Sequence, residues 1–122
     1  MDAQDDEPIE TYKKIIDELV AHSKSVHARL VREEARFSKA SRSDEKNAFV
    51  NELTKEQRGV LADMLNDERA GAIHDVLATV TWWIRCRNVR LQHNGQEMPV
   101  DLSAMGLHGD FIGRLDDWEW PE

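Results

Sequence analysis

Val89-Arg90-Leu91-Gln92-His93-Asn94-Gly95-Gln96-Glu97-Met98-Pro99-Val100 is the stretch that decides the fold. Asn94-Gly95 suits a two-residue type I′ turn, because both central positions of that turn need a positive φ. Pairing outward from the turn sets His93 opposite Gln96, Leu91 opposite Met98 and Val89 opposite Val100. The last two pairs share an apolar face, while Arg90/Pro99 and Gln92/Glu97 make the polar one, the alternation a half-buried hairpin requires. Pro99 is tolerated where its missing N–H points away from the partner strand, and it discourages a third strand on that edge. A lone hairpin is marginal in water, so its apolar face needs helices to lie on.

Those helices are written on either side of it. Toward the N-terminus, Ala72, Ile73, Val76, Leu77, Val80, Trp83 and Ile84 repeat at helical spacing, as do Val60, Leu61, Met64 and Leu65 before them. Thr54-Lys55-Glu56-Gln57 reads as a capping box opening this run, and a kink or break is expected between Asn66 and Gly71. A short helix with Phe49, Val50 and Leu53 precedes it, with Ser41 or Ser43 as N-cap ahead of Asp44 and Glu45. From Pro8, the residues Ile9, Tyr12, Ile16, Leu19, Val26, Leu30 and Phe37 form one stripe, which predicts a long amphipathic helix to about Ala40. About 50 Å of helix would overhang a domain of this size, and pairing of two copies through it, as a homodimer, is the expected remedy. Past Leu102, a short helix over about 107–117 is expected, then an aromatic tail. The fold expected is therefore mainly α, a bundle of three to five helices with one C-terminal β-hairpin at about 88–101. Residues 1–7 form a disordered acidic N-terminus and 8–122 a single domain.

Charge and composition restrict the function classes. A net charge of −8 opposes nucleic-acid binding, which needs clustered cations. The six cations and two anions of Lys24–Arg42 are explained by a solvated helix face and the helix macrodipole. A single cysteine, Cys86, excludes an internal disulfide. The acidic start is the wrong sign for a targeting peptide, and no apolar run approaches the roughly 18 residues of a membrane span, so a cytoplasmic protein is expected.

Few residues offer chemistry. His74 has no ligand three or four positions away on its helix, and the Glu18/His22 pair lacks a third member, so no metal and no cofactor are expected. His74 and Asp75 diverge by about 100° on a helix and cannot easily address one proton. An enzyme, either a small hydrolase or an isomerase, would need them joined by His108, Asp110 and Arg114 from the last loop and helix. Asp75 is expected to be buried and partnered. Gly106-Leu107-His108-Gly109-Asp110 lacks the lysine and the GKS or GKT ending of a phosphate loop. All four tryptophans follow residue 80. Trp118 and Trp120 are expected to clamp the hairpin onto the central helix. The competing use of Trp82, Trp118 and Trp120, with Arg69, is a partner-binding patch.

Glu68-Arg69-x-Gly71-Ala72-Ile73-His74-Asp75, the Asn94-Gly95 hairpin and the ending Trp120-Pro121 resemble a small bacterial family of uncharacterised proteins, over about Leu53 to Pro121. The resemblance implies a bacterial cytosolic origin and carries over no catalytic or binding residue. Read as a whole, the sequence favours a non-enzymatic protein-binding module, to which an inhibitor of the immunity or antitoxin type corresponds by analogy of size and acidity.

Overall fold

The computed structural model describes residues 7–121. Five helices and one hairpin follow in order: α1 (Pro8–His22), α2 (Val26–Glu34), a 3-10 turn (Ser41–Ser43), α3 (Asp44–Glu52), α4 (Lys55–Arg87), β1 (Gln92–His93), β2 (Gln96–Glu97) and α5 (Gly106–Leu115). The protein is thus mainly α with a C-terminal-side hairpin. The expected acidic disordered segment lies, apart from Glu7, outside the described residues. The described residues fall into two compact units, one of Ser23–Gly71 and the other of α1 with the residues from Ala72 onward.

In the Ser23–Gly71 unit, Ala28, Val31, Val50 and Ala62 form the buried core, with Phe37, Leu61 and Leu65 packed against it. The single helix expected to run to Ala40 does not form. Ser25 takes an extended conformation and its side chain caps α2 by accepting from Ala28 N–H, while its own N–H donates to Asn66 Oδ1 at 2.8 Å. A serine that caps the next helix cannot also continue the previous one. Ala35 then ends α2 in the left-handed conformation (φ 54°), its N–H returning to Leu30 O. With the helix broken after His22, the single N-terminal helix of about 50 Å does not form. Asn47 Oδ1 accepts the N–H groups of Phe37 and Ser38 at 2.8 and 3.0 Å, which fixes the connection to α3. That helix starts at Asp44 as expected, yet Ser43 makes no side-chain cap. The capping box at α4 is present: Gln57 Oε1 accepts from Thr54 N–H at 2.9 Å and Thr54 Oγ1 from Gln57 N–H at 3.1 Å.

The expected break between Asn66 and Gly71 is absent, and α4 continues for 33 residues. Asn66 spends its side chain on Ser25 rather than on its own backbone, and one helical glycine costs only about 1 kcal/mol.

In the other unit α1 packs on α5 and β1. Tyr12, Ile16, Leu77, Met98, Leu107 and Phe111 are buried there. The hairpin pairs His93 with Gln96 and Gln92 with Glu97, with Asn94 and Gly95 at φ 52° and 78°. Met98 N–H donates to Leu91 O at 2.8 Å and extends the expected register by one pair. Asn88 and Asp101, at φ 56° and 62°, turn the chain away at either end. Gly106 opens α5 at φ 90°, where a Cβ would fall 2.4 Å from the His108 ring.

Candidate functional site

Asp110, one of the residues expected of an enzyme, is fully buried and is consumed by structure. It accepts the Tyr12 hydroxyl and the N–H groups of Leu102 and Ser103, the last two at 2.8 and 2.7 Å. Tyr12 OH in turn accepts from Asp101 N–H at 3.3 Å, and Asp101 pairs with Arg85. Burial first, and then the Asp110 carboxylate, hold the Tyr12 phenol protonated far above the ordinary phenol range. This joint ties α1, α5 and the loop after the hairpin together, and its carboxylate is wholly buried, out of reach of a substrate. Arg114 is equally committed. It donates to Asp17 at 2.7 Å and to Trp118 O, and lies over the Trp120 ring.

His74 and His108 do meet. Their rings stand edge to face with centroids 5.1 Å apart. His74 Nδ1 lies 3.1 Å from Asp75 Oδ1, and His108 Nδ1 lies 3.4 Å from Thr81 Oγ1. Thr81 donates to Leu77 O at 2.8 Å and accepts from Leu107 N–H at 3.0 Å, so this buried hydroxyl docks the start of α5 on α4. Asp75 is not buried: its side chain is 84% exposed and its partner is its neighbour His74 rather than Arg114. The structure therefore gathers His74, Asp75 and His108 and assigns Asp110 and Arg114 to other work. No group of three or more metal-ligating side chains exists among the described residues.

The tryptophans separate into two pairs. Trp118 packs over Gly113, and Trp120 donates its indole N–H to Asp17 at 3.1 Å beside Tyr12. The tail accordingly closes over α1 and α5, not over the hairpin and α4. Trp82 and Trp83 are nearly half exposed and touch edge to face at 5.1 Å, with Arg87 over Trp82. Of the residues expected to bind a partner, Trp82 and Arg69 remain on the surface.

The Ser23–Gly71 unit carries an apolar groove that the sequence reading missed. Two adjoining depressions of about 340 and 360 Å³ share Phe49 and Leu61. The first is lined by Phe37, Val50 and Leu65, the second by Leu53, Val60 and Met64. Phe49, Val60 and Met64 are 60%, 61% and 60% exposed. Glu45, Lys46, Glu56 and Gln57 make the rim, with Lys46 drawn over the Phe37 ring. The signal lay in the spacing. Val60/Met64 and Leu61/Leu65 are two neighbouring columns on one helix, and α2 and α3 cover only the second.

The protein is mainly α-helical, with a single hairpin on its C-terminal side among the described residues. The chain is a member of the family of unknown function DUF6547, whose family model matches residues 5–122. The match includes α1 and α2, which lie outside the stretch 53–121 on which the sequence resemblance rests. No curated protein and no solved structure matches the chain.

Proposed function

We propose that this protein is a protein-binding module, and that a basic amphipathic helix of its partner docks in the groove between α3 and the first half of α4. The observation that carries the reading is the cluster of three large apolar side chains, each about 60% exposed, around two adjoining depressions. Contiguous apolar surface of this kind is covered in use. A groove between two helices accepts a third by its i, i+3, i+4 and i+7 anchors, and Met64 supplies a side chain that adapts its shape. Charge selects the partner's sign. Glu45 and Glu56 stand at the rim, α3 carries three acids and one lysine, and the chain as a whole carries −8. Such a surface steers cations toward it and disfavours a second copy of itself.

An inhibitor of the immunity or antitoxin type acting in the bacterial cytoplasm is the narrower form of this reading. Small size, acidity and a lone cysteine support it. The test uses a fluorescein-labelled Leu/Lys amphipathic helix at physiological salt, with anisotropy as the readout. Binding to the wild-type chain should weaken roughly ten-fold or more in Val60→Asp/Met64→Asp. The same double change at Trp82 and Trp83 should leave it unaltered. Equal affinity for the wild type and the groove variant would sink the proposal.

A further inference from the structure

We propose that the hollow between the end of α4 and the hairpin binds a free aliphatic α-amino acid, with Arg90 taking its carboxylate and Glu97 its ammonium group. The hollow lies wholly within the unit that holds α1 and α5, and the proposal does not rest on the groove of the other unit. Two observations lead to it.

The first is an apolar wall of limited size. Asn88, at φ 56°, turns the chain after α4, and Ile84 on that helix then shares a cavity of about 390 Å³ with Leu91, Met98, Pro99 and Val100. This volume stands at the lower end of the range for ligand sites, the size for a small metabolite. Met98 is 7% exposed, so the wall continues into the core of the unit.

The second is a pair of opposite charges on the same cavity. Arg90 Nε lies 3.1 Å from Glu97 Oε1. Arg90 Nη1 donates to Ile84 O and Val89 O at 3.1 and 3.0 Å, which spends both of its hydrogens and fixes the guanidinium. Arg90 Nη2 has no acceptor among the described residues, and the Glu97 carboxylate accepts no hydrogen bond from them. A cation and an anion thus stand side by side with donor and acceptor capacity unused. A guanidinium already held in place costs little to order when a ligand arrives.

The charge pattern selects the ligand. An α-amino acid carries its ammonium and carboxylate on one carbon, a spacing close to that of Arg90 and Glu97. Laid antiparallel on that pair, its carboxylate accepts from Nη2 and its ammonium donates to Glu97. The side chain on the same carbon is left for the apolar wall. A carboxylate alone meets Glu97 as a like charge, and an amine alone meets Arg90 in the same way. Leucine, isoleucine and methionine satisfy both the wall and the charge pair.

The measurement is titration of the full chain with L-leucine into the millimolar range, followed by amide NMR spectra. The expected result is a saturable shift of the Leu91, Met98 and Val100 amides. Glycine, which lacks the side chain, should not saturate. Isoamylamine, 4-methylpentanoate and N-acetyl-leucine, each lacking one of the two charges, should bind roughly ten-fold more weakly. N-acetyl-leucine also stands for the C-terminus of a peptide. Glu97→Gln should weaken L-leucine by roughly five-fold and strengthen 4-methylpentanoate, which then has no anion against it. A Glu97 that only supports the hairpin would lose both ligands alike. Absence of saturation by L-leucine, shifts confined to other amides, equal binding of a single-charge analogue, or parallel loss of both ligands in Glu97→Gln overturns the proposal.

Discussion

Replacing Asp110 with alanine should be among the most damaging single changes in the unit that holds α1 and α5. The carboxylate is fully buried and accepts three donors: the Tyr12 hydroxyl and two backbone N–H groups. Tyr12 is 1% exposed, so its stranded hydroxyl bears the full desolvation cost, about 1–3 kcal/mol. Leu102 and Ser103 are half-buried, and water entering the space left by the carboxylate can reach their N–H groups, so each loses about 1 kcal/mol. The sum is about 3–5 kcal/mol, with an expected fall in Tm of about 10–20 °C for a chain of this size. Tyr12→Phe leaves the carboxylate with both backbone donors and should cost about 1.5–2 kcal/mol. Urea and thermal melts followed by circular dichroism measure both variants. A loss below about 1 kcal/mol for Asp110→Ala would refute the assignment of this residue as the joint of the unit.

The Tyr12 phenol has its folded pKa raised, by burial first, so its contribution to stability is complete below the unfolded value of about 10 and declines as pH climbs past it. Tyr12→Phe should remove that alkaline decline, and because Tyr12 is the only tyrosine, tyrosinate absorbance should appear only as the wild type unfolds. Asp75→Ala should change stability by no more than about 0.5 kcal/mol in urea melts, since the side chain is 84% exposed; a loss of 2 kcal/mol or more would mean a buried partner. Gly71→Ala adds a Cβ that meets nothing within 4 Å in mid-helix, and should raise stability by about 0.5–1 kcal/mol in the same assay.

What could be read ahead of the structure was local. Asn94-Gly95 and Thr54-x-x-Gln57 specify their turn and cap through atoms a few residues apart, and both formed as written. Interactions between distant parts of the chain were not legible. The break after His22 depends on Asn66 meeting Ser25, 41 positions away, and helical spacing alone runs straight through it. Asp110 looked available for catalysis because its principal partner, Tyr12, is 98 positions distant. Asp75 looked buried because the helix around it has little polar surface, yet Val76, Trp82 and Trp83 are themselves exposed. The groove escaped notice for the same reason: an apolar column on a helix reads as core until the covering element proves too short to reach it.

The unbroken course of α4 has a consequence for how the chain loses structure. Its backbone hydrogen bonds form one ladder that belongs to both compact units, with the unit boundary falling at the Gly71–Ala72 step inside it. Helix propagation adds one residue at a time at little cost, whereas starting a new helix is improbable. Melting of the Ser23–Gly71 unit therefore leaves a helix end that retreats toward Ala72 and stops where Ile73 and Leu77 begin to be covered, instead of a clean break between folded and unfolded parts. Amide hydrogens from Asp67 to His74 should then exchange over a graded range of rates, a slope of protection along a single helix rather than a step.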